Sequence, residues 1–332
     1  MSGLDFGRRL GRITPAQLQQ ALNLFGLGQV QQARPIPFGL FGQNLMVTSD
    51  QGEFVLRGQP HFPWQFPTEQ YVVDQLHAVT QVPVPAPYRY TEDRTIFGWP
   101  FVIMPKMPGV QLADAQVVQR LTAEDRQGIA RAMGHNLAEM HRLTGPCSGR
   151  YDPQTNSVVP FDRPYGEWVV ERLQTHLNSA RQQNGHTTPD DVRWVNRLVD
   201  ASRSALAVPF TPTLVMEDYK EGNVAVERAE GGTWRVSGVF DFMTAHFGDP
   251  EADLSRLVGE YARQQPAWAR TFVETYLSHH APRSGFEARF ALYLLADALI
   301  IWEYVQREEG GMPGQRDLSL RAWAEPFMTA VL

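Results

Sequence analysis

The sequence predicts an α+β fold with two lobes, a small one built mainly from an antiparallel sheet and a larger helical one. Extended runs dominate the chain up to residue 104. The proline- and glycine-rich segment PKMPG then interrupts all regular structure at residues 105–109. Beyond it, apolar residues recur at helical spacing over long segments. We therefore expect residues 1–104 to form a first lobe, residues 105–109 a hinge, and residues 110–332 a second lobe.

The first lobe is predicted to open with a helix, because Thr14 can cap it and Pro15 suits its first position. A strand interrupted by glycines is predicted from Ile36 to Val47, and a second strand from Glu53 to Arg57. The intervening SDQG at residues 49–52 has the composition of a turn.

A second helix is predicted from Pro67 to about Thr80. The sequence VPVP at residues 82–85 cannot be helical and indicates a linker. Two further extended segments follow, at Tyr88–Tyr90 and Pro100–Met104. They complete the small sheet of the first lobe.

The second lobe shows helical periodicity in most of its length. Helices are predicted at 123–143, 167–182 and 189–207, and again throughout the chain after Pro250. Only residues 214–242 break this pattern, with short β-like runs.

Composition excludes several classes of protein. The 332 residues carry 30 basic and 36 acidic side chains, a net charge of −6, which argues against a nucleic-acid-coating protein. The single cysteine, Cys147, excludes an internal disulfide scaffold and fits a cytoplasmic protein. The apolar stretch Phe290–Val305 contains Asp297 and Glu303 and is shorter than the ~20 residues of a membrane span, so we expect a buried helix and no membrane partner. No signal peptide is visible at the start of this sequence.

The segment Leu214–Phe242 brings oxygen-bearing side chains into a defined pattern. Asp218 and Asn223 are five positions apart, and Asn223 begins an alternating run. Two glycines at 231–232 supply a turn, and a second alternating run leads back to Asp241. Because the ends of an antiparallel hairpin lie side by side, we expect Asp218, Asn223 and Asp241 to converge.

This trio matches the needs of phosphoryl transfer. Carboxylate and amide oxygens suit Mg²⁺, which takes one or two protein ligands and fills its other positions with water and phosphate oxygens. A further carboxylate is then left to accept the proton of an attacking hydroxyl.

The segment resembles the catalytic region of the aminoglycoside phosphotransferase and choline kinase family, relatives of the protein kinases. Their usual pattern H-G-D-x-x-x-x-N precedes a strand that ends in I-D-F or I-D-W; here MED at 216–218, Asn223 and FDF at 240–242 match it. The segment GDPEADL at 248–254 resembles the G-D-P-x-x-D-L that follows. The resemblance implies a protein-kinase-like fold, ATP and Mg²⁺ as cofactors and a hydroxylated small molecule as acceptor. It also implies Asp218 as the catalytic base, with Asn223 and Asp241 as metal ligands.

Further motifs of the same family occur in order in the first lobe and hinge. The nucleotide-contacting residues that they imply are Gly39, Gly42, Asn44, Arg57, Glu69, Met104, Pro105 and Met107. The glycines, Arg57 and Glu69 each also have a simpler structural interpretation. The glycines fit a bulge in a strand, Arg57 a solvated edge position, and Glu69 an acid in the first turn of a helix.

Some positions depart from the family pattern. Met216 and Glu217 replace His and Gly, and Arg57 stands where many relatives have Lys. A nucleotide-binding pseudokinase that regulates a partner protein is therefore an alternative function. A non-enzymatic helical interaction protein with accidental motif matches is another.

Lys220 is one of only two lysines among the 30 basic residues, the other being Lys106. It lies inside the D-x-x-x-x-N loop, where an ammonium can stabilise charge that builds on a transferred phosphoryl group, so we assign it a catalytic role. The alternative is a solvated lysine paired with Glu217 or Glu221.

The identity of the acceptor and the oligomeric state are left open by the sequence. Four acids are candidates to line an acidic pocket for a cationic acceptor, although a solvated surface position is favoured for each: Glu167, Glu171, Glu260 and Asp297. Asp249 precedes Pro250 and is expected to cap a helix, and Asp253 is expected to brace the catalytic segment by hydrogen bonding.

Overall fold

The computed structural model describes residues 11–36, 43–183, 186–306 and 318–331. Its first helix, α1 (Pro15–Leu24), begins at Thr14, which forms the expected cap through a reciprocal box with Gln17. A five-stranded antiparallel sheet follows, in the order β1-β2-β3-β5-β4. Its strands are β1 (Val30–Pro35), β2 (Gln43–Ser49), β3 (Gly52–Gly58), β4 (Arg89–Thr91) and β5 (Phe101–Pro105).

The predicted strand at 36–47 was wrong in its bounds. Two strands, β1 and β2, take its place, and residues 37–42, which include Gly39 and Gly42, lie outside the described part of the chain. Strand β1 was missed because it is an edge strand whose side chains are mostly exposed, so its residues show no apolar alternation. The remaining strands and the 49–52 turn agree with expectation.

Helix α2 (Gln65–Val79) packs between this sheet and the second lobe, and residues 82–85 after it are irregular, as predicted. Pro105, assigned to the hinge, is the last residue of β5 and pairs with Phe54 of β3, and the Lys106 amide after it still donates to the Glu53 carbonyl at 3.0 Å. The lobe boundaries at 105–109 remain a prediction.

The second lobe contains most of the helices. They are α3 (Ala115–Val118), α4 (Ala123–Met140), α5 (Tyr165–Gln183), α6 (Pro189–Leu206), α7 (Leu254–Gln264), α8 (Pro266–Leu277), α9 (Phe286–Gln306) and α10 (Leu320–Thr329). Helix α9 is buried on most sides, as its largely apolar sequence predicted, and Asp297 and Glu303 within it are buried too. Within the described ranges, none of the helices combines the length and apolar character that a bilayer crossing requires.

Two small antiparallel sheets accompany these helices. One contains β6 (Val110–Gln111), β10 (Val224–Arg228) and β11 (Trp234–Val239); the other contains β7 (Gly149–Asp152), β8 (Ser157–Pro160), β9 (Thr213–Val215) and β12 (His246–Gly248). The predicted hairpin is confirmed, since Val224 pairs with Val239 and the Phe240 amide donates to the Asn223 carbonyl at 3.1 Å. The β7–β8 hairpin was not predicted.

The main apolar core joins the two lobes. It runs from Val72 and Leu76 of α2 through Met133 and Leu137 of α4 to Trp302 of α9. A smaller core lies under α1 on the other face of the five-stranded sheet. Burying apolar surface stabilises the folded chain by about 25 cal/mol per Å², so these two cores hold in place the strands and helices that carry the site.

Candidate active site

The base of the β10–β11 hairpin faces a cavity of about 650 Å³, which we call the nucleotide cavity. Asn223 and Asp241 both line it, as the hairpin geometry predicted. Its volume is in the range of about 300–1,000 Å³ that small-molecule sites occupy.

Asp218 lies beside this pair on the 216–223 loop. Its Oδ2 accepts hydrogen bonds from Lys220 Nζ at 2.6 Å and from Asn223 Nδ2 at 2.9 Å. Its Oδ1 lies 2.9 Å from Nε of Arg256, whose Nε is also 3.2 Å from Oδ1 of Asp297. Both carboxylate oxygens of Asp218 therefore contact cationic groups. The alternative in which Lys220 pairs with Glu217 or Glu221 was wrong about the partner, which is Asp218.

The 216–223 loop is held from behind by Asp253. The two carboxylate oxygens of this buried residue accept hydrogen bonds from the backbone amides of Met216 and Glu217, each at 2.8 Å. Glu217 needs this support because its φ of 71° is strained for a residue with a side chain. Asp249 caps the following turn by accepting from the Glu251 amide. Both acids thus act structurally, as expected.

Arg57 connects the five-stranded sheet to α2. Its Nη1 donates to Oε2 of Glu69 at 3.0 Å, and its Nη2 to Oδ1 of Asp241 at 3.3 Å. Burial alone would lower the pKa of Arg57, but Glu69 and Asp241 raise it above its ordinary value. With 13% of its side chain exposed, Arg57 is not a solvated edge residue.

Glu69 is fully buried and has more partners than a first-turn acid of a helix would need. Besides Arg57, its carboxylate accepts from the Tyr88 hydroxyl at 2.7 Å. It also accepts from the backbone amides of Asp241 and Phe242 at 2.8 and 3.1 Å. Glu69 thereby joins α2 to the end of the hairpin.

The donor set suits a magnesium ion. Asp241 and Asn223 offer oxygens to the same cavity, and the Asn223 Nδ2 faces Asp218, which turns its Oδ1 away from that carboxylate. Burial raises the pKa of Asp241, and the nearby carboxylates of Glu69 and Asp218 raise it further, while Arg57 lowers it. A cation bound here would reduce the repulsion among these three carboxylates. Among the described residues no three His, Cys, Asp or Glu side chains form a metal-binding group, but Mg²⁺ needs only one or two protein ligands.

The other residues implied for nucleotide contact fall into three groups. Those lining the nucleotide cavity are Asn44, Arg57, Met104, Pro105 and Met107. Glu69 does not line it and stands behind Arg57, whereas Gly39 and Gly42 lie outside the described residues. The Oδ1 of Asn44 is buried and has no hydrogen-bond partner among the described residues, so it can accept from a ligand.

The chain matches the phosphotransferase enzyme family over residues 32–286. It belongs to this family. Its kinase-like fold is therefore the one that the sequence predicted, and its chemistry is that of a kinase-type phosphotransferase.

Solved structures of similar fold include a putative aminoglycoside phosphotransferase from Ralstonia eutropha JMP134, with a TM-score of 0.67, 19% identity, and coverage of 96% of this chain and 98% of that one. A thermostable variant of aminoglycoside phosphotransferase APH(4)-Ia, in ternary complex with ADP and hygromycin B, has a TM-score of 0.63 and 15% identity, with 95% of this chain and 97% of that one covered. At such identities the likeness concerns the fold alone.

A curated relative, the mouse "Acyl-CoA dehydrogenase family member 10", is 28% identical over 176 residues, or 52% of this chain. The match covers only 15% of that relative's length. This phosphotransferase thus resembles one part of a much longer protein.

Next to Asp218 in the chain, Glu217 lines a smaller cavity of about 60 Å³, which we call the acceptor-side cavity after the role proposed for it below. It lies between α5, α9 and the 216–223 loop. Its lining includes aromatic, basic and acidic side chains: Tyr165, Trp168, Arg172, Glu217, His246 and Asp297.

The four acids considered for a cationic acceptor do not form an acidic pocket. Glu167 and Glu171 are exposed, and Glu171 pairs with Arg163, as a solvated surface predicts. Asp297 is buried and paired with Arg256, so its surface assignment was wrong. Glu260 is half-buried, and burial raises its pKa to about 7.

Sequence reasoning missed Arg256, Arg172 and Arg34, the last of which lines the nucleotide cavity. Arg256 follows the GDPEADL segment by two positions, which was a usable signal that a basic residue stands near the site. Arg34 and Arg172 carry no such signal, because they reach the site only through the tertiary packing of β1 and α5.

Proposed function

We propose that this phosphotransferase transfers the γ-phosphoryl group of ATP to a hydroxyl group of a small molecule. The observation that supports it most is the position of Asp218, which contacts Asn223 of the nucleotide cavity and, through Arg256, Asp297 of the acceptor-side cavity. A base placed between a phosphate donor and an acceptor is what in-line transfer requires.

On the nucleotide side, Arg57 and the hinge residues would hold ATP. Met104, Pro105 and Met107 line the wall of the cavity beside β5, and Arg57 projects a guanidinium toward the phosphates. Asn223 and Asp241 would hold Mg²⁺, which when bound supplies charge neutralisation between the phosphate oxygens.

On the acceptor side, Asp218 would accept the proton of the attacking hydroxyl. The Oδ1 of Asp218 is buried against Arg256, whereas 24% of the side chain as a whole is exposed. We therefore assign Oδ2 as the oxygen that would accept the proton. Lys220, now on Oδ2, would follow the transferred phosphoryl group as negative charge builds on it.

The experiment is ADP release from Mg·ATP over a panel of hydroxylated metabolites, compared between the wild-type chain and Asp218→Asn. We expect turnover with at least one acceptor, or slow hydrolysis with water, and a loss of about 10²-fold or more in Asp218→Asn. Thermal stabilisation by Mg·ATP should be equal in both proteins.

Stabilisation by Mg·ATP without any turnover in the wild type would instead support the pseudokinase. That alternative draws on Met216-Glu217 and on the two cations that contact Asp218. Absence of stabilisation by any nucleotide would contradict both functions.

A further inference from the structure

Two arginines converge on one aromatic ring beside the acceptor-side cavity. The guanidinium carbons of Arg172 on α5 and Arg150 on β7 lie 4.6 and 5.5 Å from the centroid of Trp168. Glu217 forms an ion pair with Arg172 and lies close enough to Arg150 to influence its pKa. One carboxylate is thus shared by two guanidinium groups.

The other charged groups around this cavity already have partners. Asp297 pairs with Arg256 at 3.2 Å, Asp218 with Lys220 at 2.6 Å, and His176 with Glu303 at 2.6 Å. None of these acids is available to Arg150, whose pKa is lowered by burial although it stays charged. The cluster of Arg150, Arg172 and Glu217 therefore keeps an excess positive charge in a largely buried place, which is costly without a further anion.

Two buried nitrogens in the same place lack hydrogen-bond partners among the described residues: Nε of Arg150 and Nδ1 of His246. His246 lines the cavity and is 3% exposed. Its Nδ1 is 3.9 Å from Oε2 of Glu217, too far for a hydrogen bond. Such unpaired buried groups are rare and call for a ligand.

The protonation of His246 follows from its neighbours. Its Nε2 lies 3.1 Å from the Tyr165 hydroxyl, which can donate to it. Burial lowers the pKa of His246 to about 4, so the ring is neutral at pH 7. When the Tyr165 hydroxyl donates to Nε2, the ring carries its proton on Nδ1, on the side of the Glu217 carboxylate, and Nδ1 is then a donor without an acceptor.

We propose that the acceptor substrate carries a carboxylate, which Arg172 and His246 of this cavity and the neighbouring Arg150 hold while its hydroxyl group reaches Asp218. This inference rests on the proposed function and names its substrate class. The cavity offers N–H donors and a surplus positive charge, and its volume of about 60 Å³ suits a small planar group better than a bulky one. Arg256 connects this cavity to the base, because its Nε lies 2.9 Å from Oδ1 of Asp218 and 3.2 Å from Oδ1 of Asp297, which lines the cavity.

The first test uses matched acceptors. ω-Hydroxy carboxylates of three to six carbons are compared with their primary amides and with the amino alcohols of the same length, and ADP release from Mg·ATP is measured. We expect kcat/KM for the best carboxylate to exceed that of its amide about tenfold or more, with the amine lower still. Equal use of carboxylate and amide, or preference for the amine, would overturn the proposal.

The second test uses variants with opposite expected signs. Arg172→Gln should weaken carboxylate binding about tenfold or more, whereas Glu217→Gln removes the competing internal anion and should strengthen it. Arg150→Lys, which lacks the Nε donor, should also weaken it. Arg181→Gln is the matched control, because Arg181 is exposed near the end of the same helix α5.

Binding is measured by calorimetry with the same carboxylates in the presence of Mg·ADP, so that it does not depend on turnover. If Arg172→Gln and Glu217→Gln both weaken binding alike, the pair is only a structural element and the proposal is wrong. Carboxylate binding with these opposite signs but no ADP release would support the site and contradict the proposed function instead. If the wild type binds no carboxylate but releases ADP with other acceptors, the carboxylate site is contradicted and the proposed function is supported.

Discussion

The nucleotide side of Asp218 is a cavity of about 650 Å³ lined from both lobes, whereas the acceptor side is a cavity of about 60 Å³ walled by α5, α9 and the 216–223 loop. The nucleotide side contains many residues at motif positions, such as Arg57 and Asp241. The acceptor side is built mostly from residues outside any motif, such as Trp168 and Arg172. The difference teaches that the donor of this reaction can be recognised from the sequence, while the acceptor requires the three-dimensional arrangement.

The largest effect on the nucleotide side is expected from Asp241→Ala. It removes the proposed metal ligand and one of the two acidic partners of Arg57, so activity should fall below about 1% and Mg²⁺-dependent nucleotide affinity should weaken. Titration of ATP affinity with and without Mg²⁺ measures this. If the ATP affinity of the variant depends on Mg²⁺ as that of the wild type does, Asp241 is not a metal ligand.

Lys220→Ala is expected to lower kcat about 10²-fold, with KM for ATP little changed, because its ammonium acts on charge that develops during transfer. Lys220→Arg should rescue poorly, since a planar fork does not replace a compact charge. Steady-state kinetics with varied ATP separates the two constants. Full activity of Lys220→Ala would make it a loop residue with no role in transfer.

Arg256→Gln tests the contact that holds Asp218 from the acceptor side. Arg256 touches the buried Oδ1 of Asp218 and joins it to Asp297 on α9, so its loss should misalign the base and lower kcat roughly tenfold. KM for ATP should stay the same, and Arg256→Lys should recover part of kcat. Arg263→Gln, two turns further along α7, is the control; an equal loss there would indicate a general effect of charge.

Arg57→Ala is expected to raise KM for ATP about tenfold, more than it lowers kcat, because a ground-state phosphate contact is lost. It also leaves Glu69 buried without its ion-pair partner, so the melting temperature should fall. Kinetics and a melt of the same sample check both parts. If KM is unchanged while stability falls, Arg57 holds only the fold.

The smallest effect is expected from Glu260→Gln. The folded-state pKa of Glu260 is about 7, above the ordinary value of 4.5, so its ionisation destabilises the fold as pH rises through that interval. The melting temperature of the variant should match that of the wild type near pH 4 and exceed it at pH 8. Equal melting temperatures at both pH values would contradict a raised pKa.

The sequence predicted the elements whose signals are local. The β10–β11 hairpin followed from alternation and two glycines, and it correctly placed Asn223 and Asp241 on one cavity. The family resemblance also pointed to Arg57 and Glu69, which the structure joins in an ion pair.

Elements that depend on distant packing could not be predicted. Strand β1 lacks an alternating pattern because it is exposed, and the contact between Arg256 and Asp218 depends on how α7 leaves the turn at residues 250–253. Arg150, Trp168 and His246 come from three separate elements, so their spacing in the chain carries no sign that they meet.

The contacts of Glu69 have a consequence for regulation. In protein kinases the equivalent ion pair must be assembled before phosphoryl transfer, and its assembly is a point of control. Here Arg57, Tyr88 and two backbone amides at the end of the hairpin all contact Glu69. The amide protons of Asp241 and Phe242 should therefore exchange slowly with solvent deuterium. Because the same carboxylate holds both the ion pair and the end of the hairpin, a change that separates Arg57 from Glu69 should also loosen the backbone that carries Asp241.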